Sequence, residues 1–309
     1  MDMSILFAAL PGNVAQGIIW GIMALGVFIT YKILDFADLT VDGSFATGGA
    51  VTVMLMVAGH GSFVALTVAF VVGVLAGLVT GLLHTRLGIP GILASILTQI
   101  ALFSVNLRIM GGKANTPINV DKYPLIVSLR YIPKTICVAA IIAAVIIALI
   151  YWYFGTEQGS AIRATGCNPA MSRAQGININ LMKVIALGIS NGLVAFAGGL
   201  LSQYQGYADI NMGRGAIVIG LAAVIIGDVL LSAFFKKHAG FILRLAFVIL
   251  GGIIYYIAIG IVLWLRMPTN DLKLFTAVIV AIFLAIPHIK NEATNSFRKA
   301  AKRGGKKNA

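Results

Sequence analysis

The chain has 309 residues, 59% of them hydrophobic and only 11% charged, with a mean hydropathy of +0.96. That composition excludes an ordinary soluble domain, and two cysteines are too few for a disulfide scaffold. The formal charge of +13 does not point to nucleic acid, because the basic tail 290–309 carries one aromatic residue, Phe297, and no recognisable binding fold.

A membrane-crossing helix needs about 20 apolar residues. Asp2 is the only charge ahead of Lys32, so no cleavable signal is expected and the first apolar run, 13–31, reads as a span. Asp35, Asp38 and Asp42 gather at the start of the second, 40–58. Carboxylates there suit the unpaired N–H groups and positive dipole end of a helix, a capping role preferred over proton or metal chemistry. Ser44 and Thr47 follow as polar residues inside that span.

The third run, 62–83, carries Gly73, Gly77 and Gly81, and the spacing recurs at Gly17/Gly21 and Gly188/Gly192. In lipid such small-residue ridges let helix backbones approach closely, within one bundle or between two copies. The fourth run, 90–110, holds Gln99 and Asn106; a loop with Pro117, Pro124 and Pro133 leads to the fifth, 134–154. Further runs cover 181–202, with Ser190 and Asn191, then 215–235, 240–265 and 272–288. Unpaired amides and hydroxyls are costly in hydrocarbon, so Ser44, Thr47, Gln99, Asn106, Ser190 and Asn191 are expected to face other helices or a water-filled path, with Ser44, Thr47, Gln99, Ser190 and Asn191 the candidates for lining a translocation path. The fold expected is an all-α polytopic membrane protein of about nine spans, eight or ten if the polar starts of 40–58 and 215–235 mark breaks. Residues 1–289 form the transmembrane domain and 290–309 a basic tail. Asp228 lies about two turns before Lys236, close to the inner surface.

Placing the N-terminus outside puts most of the 23 basic residues and the tail inside, as the positive-inside rule requires. The tail would then touch anionic headgroups of membrane lipid. Cys137 and Cys167 fall on opposite sides, and the four histidines are scattered without metal-ligand spacing.

The polar segment 156–180 interrupts this pattern. Asn168 followed by Pro169 reads as a helix cap and first turn, since proline lacks the N–H that goes unpaired there. Gly176 can close the helix in the left-handed conformation. That leaves about two turns, from Pro169 to Gln175, displaying Met171 and Arg173 for contact with another protein. No nucleophile with a base, paired catalytic carboxylates or zinc signature appears, and Gly112-Lys113 and Gly305-Lys306 lack the rest of a phosphate-binding loop. The chain is therefore expected to be no enzyme, with no metal site.

With those residues in view, Arg163–Asn178 (RATGCNPAMSRAQGIN) resembles the cytoplasmic coupling loop of permeases in the branched-chain amino acid/ribose importer family. Phe36–Ala50 (FADLTVDGSFATGGA) and Gln205–Gly213 (QGYADINMG) are similar to its aromatic amino-acid permease subgroup. The resemblance runs from about Gly17 to Pro287. It implies an ABC importer permease in a bacterial inner membrane, multi-pass with a cytoplasmic C-terminus, carrying a small polar solute such as an amino acid. It implies as partners a cytoplasmic ATP-binding subunit, an extracytoplasmic substrate-binding protein and a second permease copy as homodimer. ATP and magnesium would sit on the ATPase, leaving no cofactor in this chain. Asn168, Pro169, Met171, Arg173 and Gly176 would form the coupling helix, and the loops Gly111–Lys134 and Tyr204–Arg214 the docking face for the binding protein. The competing expectation is an ion-coupled secondary transporter, which needs midplane acids that this chain supplies sparsely.

Overall fold

The computed structural model describes residues 3–120, 122–235 and 240–264, with isolated positions 274, 277, 278, 281 and 285. Eight helices among the described residues are long and apolar enough to cross a membrane. They are α1 (Met3–Phe28, continued by a π-helical turn Ile29–Ile33), α2 (Thr40–Val57), α3 (Ser62–Thr85), α4 (Gly91–Ile109) and α5 (Ile132–Gly155). After two short helices, α6 (Glu157–Cys167) and α7 (Pro169–Ala174), come α8 (Ile179–Gln205), α9 (Ala216–Phe234) and α10 (Phe241–Trp264). The ninth expected span, 272–288, and the tail 290–309 lie almost wholly outside the described residues.

Helix α8 is the centre of the bundle, packed against α1, α2 and α3. The glycine ridge of α3 is the reason it can be. A Cβ at Gly73, Gly77 or Gly81 would stand 2.4, 2.2 or 2.9 Å from backbone atoms of Asn191, Leu187 or Val184. Gly17 and Gly21 seat α1 on Ile253 and Ile249 of α10 in the same way. The ridges therefore serve contacts within one chain, where dispersion between close backbones replaces the missing hydrophobic drive. Outward-facing Val68, Val71 and Leu75 of α3 and Ile141, Val145 and Leu149 of α5 form apolar faces suited to hydrocarbon.

Gly48 is the tightest such contact, with its Cβ position 1.8 Å from the Ala195 carbonyl oxygen. Gly48→Val is expected to force α2 from α8 and cost about 1–3 kcal/mol or more, read as a lower melting temperature of the detergent-purified protein.

The ends of the bundle differ in character. At one end β1 (Asn115–Pro117) pairs antiparallel with β2 (Tyr207–Asp209), joining the loop after α4 to the loop after α8. Ile118 N–H donates to Gly206 O and Ile126 N–H to Gln203 Oε1, so the two loops expected to share a face are tied together there. At the opposite end lie α6 and α7, the Lys32–Asp228 ion pair at 2.7 Å and the Lys183–His84 contact at 3.1 Å. Asp228 thus sits level with Lys32, close to the end of its span as its spacing suggested. Exposed Cys137 and Cys167 belong to the strand end and the α6–α7 end respectively.

Two segments break the helical regularity, at the places where polar residues open the second and seventh spans. Residues 34–39 leave α1 with Asp35 at φ +55° and turn back into the bundle before α2 begins. Residues 210–215 dip inward from the strand end, bringing Gly213 against the Asp42 carbonyl.

Candidate functional site

The connection from α5 to α8 is built entirely from capped turns. Thr156 ends α5, and its hydroxyl accepts the Gly159 N–H to start α6. Gly159, Ile162 and Thr165 form the buried face of α6. Within the polar segment 156–180, residues 157–167 thus form a helix of their own, and the spacing of Gly159, Ile162 and Thr165 is the signal for it in the sequence. A Cβ at Gly166 would stand 1.9 Å from the Ile33 carbonyl oxygen, so α6 is pressed directly on the π-helical end of α1.

Helix α7 follows with the caps its sequence implies. Asn168 Oδ1 accepts the Met171 N–H at 3.0 Å, and Pro169 occupies the first turn. The helix ends at Ala174, one residue short of expectation, with Gln175 as its cap. Gly176 at φ +82° donates to Arg173 O, and Ile177 N–H reaches back to Ser172 O at 3.1 Å. That pair of bonds is the Schellman motif, which a residue with a Cβ makes only under strain. Ser172 is buried, its hydroxyl donating to Asn168 O, while Met171 is 57% exposed and Arg173 is exposed. Asn178 then caps α8 by accepting the Leu181 N–H at 3.1 Å. A capped helix of six residues, about 9 Å long, is thereby set between α6 and α8. Asn168→Ala is expected to cost about 1 kcal/mol of local stability, measured as faster amide exchange confined to 169–175.

Further into the bundle lies a buried polar network. Asn191 Nδ2 donates to Asp38 Oδ2 at 2.7 Å and to Leu187 O, while its Oδ1 accepts the Ser44 hydroxyl at 2.7 Å. Asp38 Oδ1 accepts the Thr40 N–H, which caps α2 as expected of an acid at that position. Thr40, Thr80 and Thr98 continue as a hydroxyl chain into α3 and α4. Ser190 donates to Gly26 O on α1, and Thr47 to Gly43 O in its own helix. Ser44, Thr47, Ser190 and Asn191 have 0% exposure, so in this conformation they line no open cavity; Ser44, Ser190 and Asn191 bind separate segments together, while Thr47 is satisfied within α2. Their donors and acceptors find protein partners because no water reaches them. Asp42 also departs from expectation. It caps α9 instead of α2, accepting the N–H of Gly215 at 3.0 Å and of Ile217 at 2.9 Å.

Gln99 does line a cavity. It shares one face of α4 with Phe103 and Asn106, facing Asp42, Gly43 and Ala46 of α2 and Ile210 and Arg214 of the inward-dipping loop. The groove holds about 350 Å³ and opens along one side. Asn106, expected with Gln99 to face helices or a water-filled path, lies in the same wall; Arg214 carried no such signal in sequence, and only the fold brings it to them.

With eight helices long and apolar enough to cross a membrane, this all-helical bundle has the character of a multi-pass membrane permease. The chain belongs to the family described as branched-chain amino acid transport system / permease component, whose model matches residues 12–287. It is 39% identical over 277 residues to a tyrosine transport system permease protein of Clostridioides difficile, covering 87% of this chain and 88% of that one. An uncharacterized protein of Rickettsia prowazekii is 32% identical over 292 residues, or 94% and 99% of the two chains. More distant is a ribose import permease of Haemophilus influenzae, 26% identical over 213 residues, 67% of this chain and 64% of its own. No solved structure matches the chain.

Proposed function

We propose that this chain is the transmembrane subunit of an ATP-driven ABC importer that carries amino acids, working as a pair of identical copies in a bacterial inner membrane. The observation that carries the reading is the lever: Met171 and Arg173 are displayed on a capped helix whose neighbours grip α1 at Gly166 and α8 at Asn178. A cytoplasmic ATP-binding subunit seats this helix, and closure of the ATPases moves α6–α7 as one body against the ends of α1 and α8. The lever end, with the tail 290–309, faces the cytoplasm, where the tail meets lipid headgroups. The strand end receives an extracytoplasmic binding protein on the joined loops 110–131 and 206–214. ATP and magnesium are held by the ATPase. Gln99 lies on the path, and the seam of Ser44, Thr47, Ser190 and Asn191 keeps its inner part shut until the lever moves. The name of the tyrosine permease relative supports an amino acid as the cargo.

An ion-coupled mechanism would need an acid free to take the ion. Asp38 and Asp42 are instead engaged by N–H donors, and Asp228 by Lys32. The deciding experiment is labelled amino-acid uptake by proteoliposomes holding the complete complex with its ATPase and binding protein. Uptake should require internal or external ATP at the ATPase face and survive an ionophore. Uptake that ignores ATP and collapses with the ionophore would overturn the reading.

A further inference from the structure

The groove beside α4 has a chemistry that contact with lipid does not explain. Arg214 is exposed in it and, among the described residues, its guanidinium has no ion-pair partner. Asn106 forms part of the wall at 1% exposure, with Oδ1 buried and lacking any hydrogen-bond partner. An orphaned acceptor of this kind is costly unless something donates to it. Asp42, also in the groove wall, is taken up by the backbone N–H groups of Gly215 and Ile217 that it caps. Gln99 adds an amide, and Ile100, Phe103 and Ile210 add an apolar wall.

We propose that this groove is a transit site for a single amino-acid zwitterion with an apolar or aromatic side chain. The α-carboxylate pairs with Arg214, whose planar fork suits two carboxylate oxygens. The α-ammonium donates to Asn106 Oδ1. The side chain lies on Phe103 and Ile100. A space of about 350 Å³ sits at the small end of ligand sites, which fits one residue and not a peptide. Its position, beneath the inward-dipping 210–215 loop and next to the paired strands, places it where a solute released at the strand end first enters the bundle. The open side and a single exposed arginine make binding weak, as a site that must let its cargo go requires. An acid, an arginine and two amides facing hydrocarbon would be costly, so the groove is wet in the working assembly.

The identity of the cargo here rests on the importer reading, whereas binding itself does not need ATP, and the test separates the two. In the complete complex in nanodiscs, Cys137→Ser and Cys167→Ser remove the native thiols and Ser104→Cys places one in the groove wall. A charged, water-soluble methanethiosulfonate should label that cysteine, and millimolar phenylalanine or tyrosine, but not ribose, should slow labelling. Arg214→Gln and Asn106→Leu should each abolish the protection and, in proteoliposomes holding the same complex, raise the KM for uptake about tenfold, with the binding protein's affinity unchanged. Asn106→Leu is decisive, because an orphan with only a structural role would make that change neutral or stabilising. An unlabelled Ser104→Cys, protection equal for ribose and phenylalanine, or variants with wild-type protection and KM would overturn the site. Failure of the importer reading shows elsewhere, as wild-type complex without ATP-dependent uptake.

Discussion

Asn191→Leu is expected to lower the stability of the bundle by about 2–5 kcal/mol, the largest loss from any single side chain in the interior. The change keeps the branched shape and number of heavy atoms but strips one donor from the buried Asp38 carboxylate and the acceptor of the Ser44 hydroxyl. Both groups have essentially no access to water, so neither can recover its bond from solvent. The check is the melting temperature of detergent-purified protein followed by size exclusion. A double-mutant cycle with Asp38→Leu isolates the pair. The doubly substituted protein should be more stable than the sum of the single losses implies, by about 1–3 kcal/mol, since no carboxylate is then left buried alone. Asn191→Leu melting with the wild type would show that the network contributes nothing to holding α8 against the 34–39 segment.

How much of this was legible in sequence varies with the range of the interaction. Apolar runs such as 62–83 and 240–265 became α3 and α10 because length and hydropathy suffice to define a membrane helix. The lever was readable because its signals are local: Asn168, Pro169 and Gly176 lie within one short stretch, and each acts on its immediate neighbours. Glycine ridges announced close packing but not its partner. Only the fold shows that Gly73, Gly77 and Gly81 meet α8. Asp42 shows where the reasoning ends. An acid in the first turn of α2 is well placed to cap that helix, yet its carboxylate serves α9, 173 residues away. The same separation hid the groove, whose walls come from α2, α4 and the loop before α9. The four hydroxyl and amide residues of α2 and α8 are polar groups that hydrocarbon requires to be satisfied. Whether by protein or by water depends on packing that no local pattern carries.

The second large effect concerns the lever, and two substitutions divide its action into docking and transmission. Arg173→Glu reverses an exposed charge on α7 without touching a buried contact, so the bundle should fold and melt as before. If the lever seats in an ATPase groove, the variant complex should lose its ATPase subunit on purification and lose uptake by about tenfold or more. Gly166→Val acts one step further in. Its side chain would collide with the Ile33 carbonyl, parting α6 from the end of α1 while leaving Met171 and Arg173 on display. This variant should keep its ATPase and hydrolyse ATP, yet transport poorly, because motion of the lever no longer reaches α1 and the break at 34–39. Co-purification of the ATPase, ATP turnover and uptake, measured on the same preparations, distinguish the two defects. Arg173→Glu complexes that retain both subunits and full transport would remove α7 from the mechanism. Gly166→Val complexes with normal coupling would instead move the transmission route to the direct connection through Asn178 into α8.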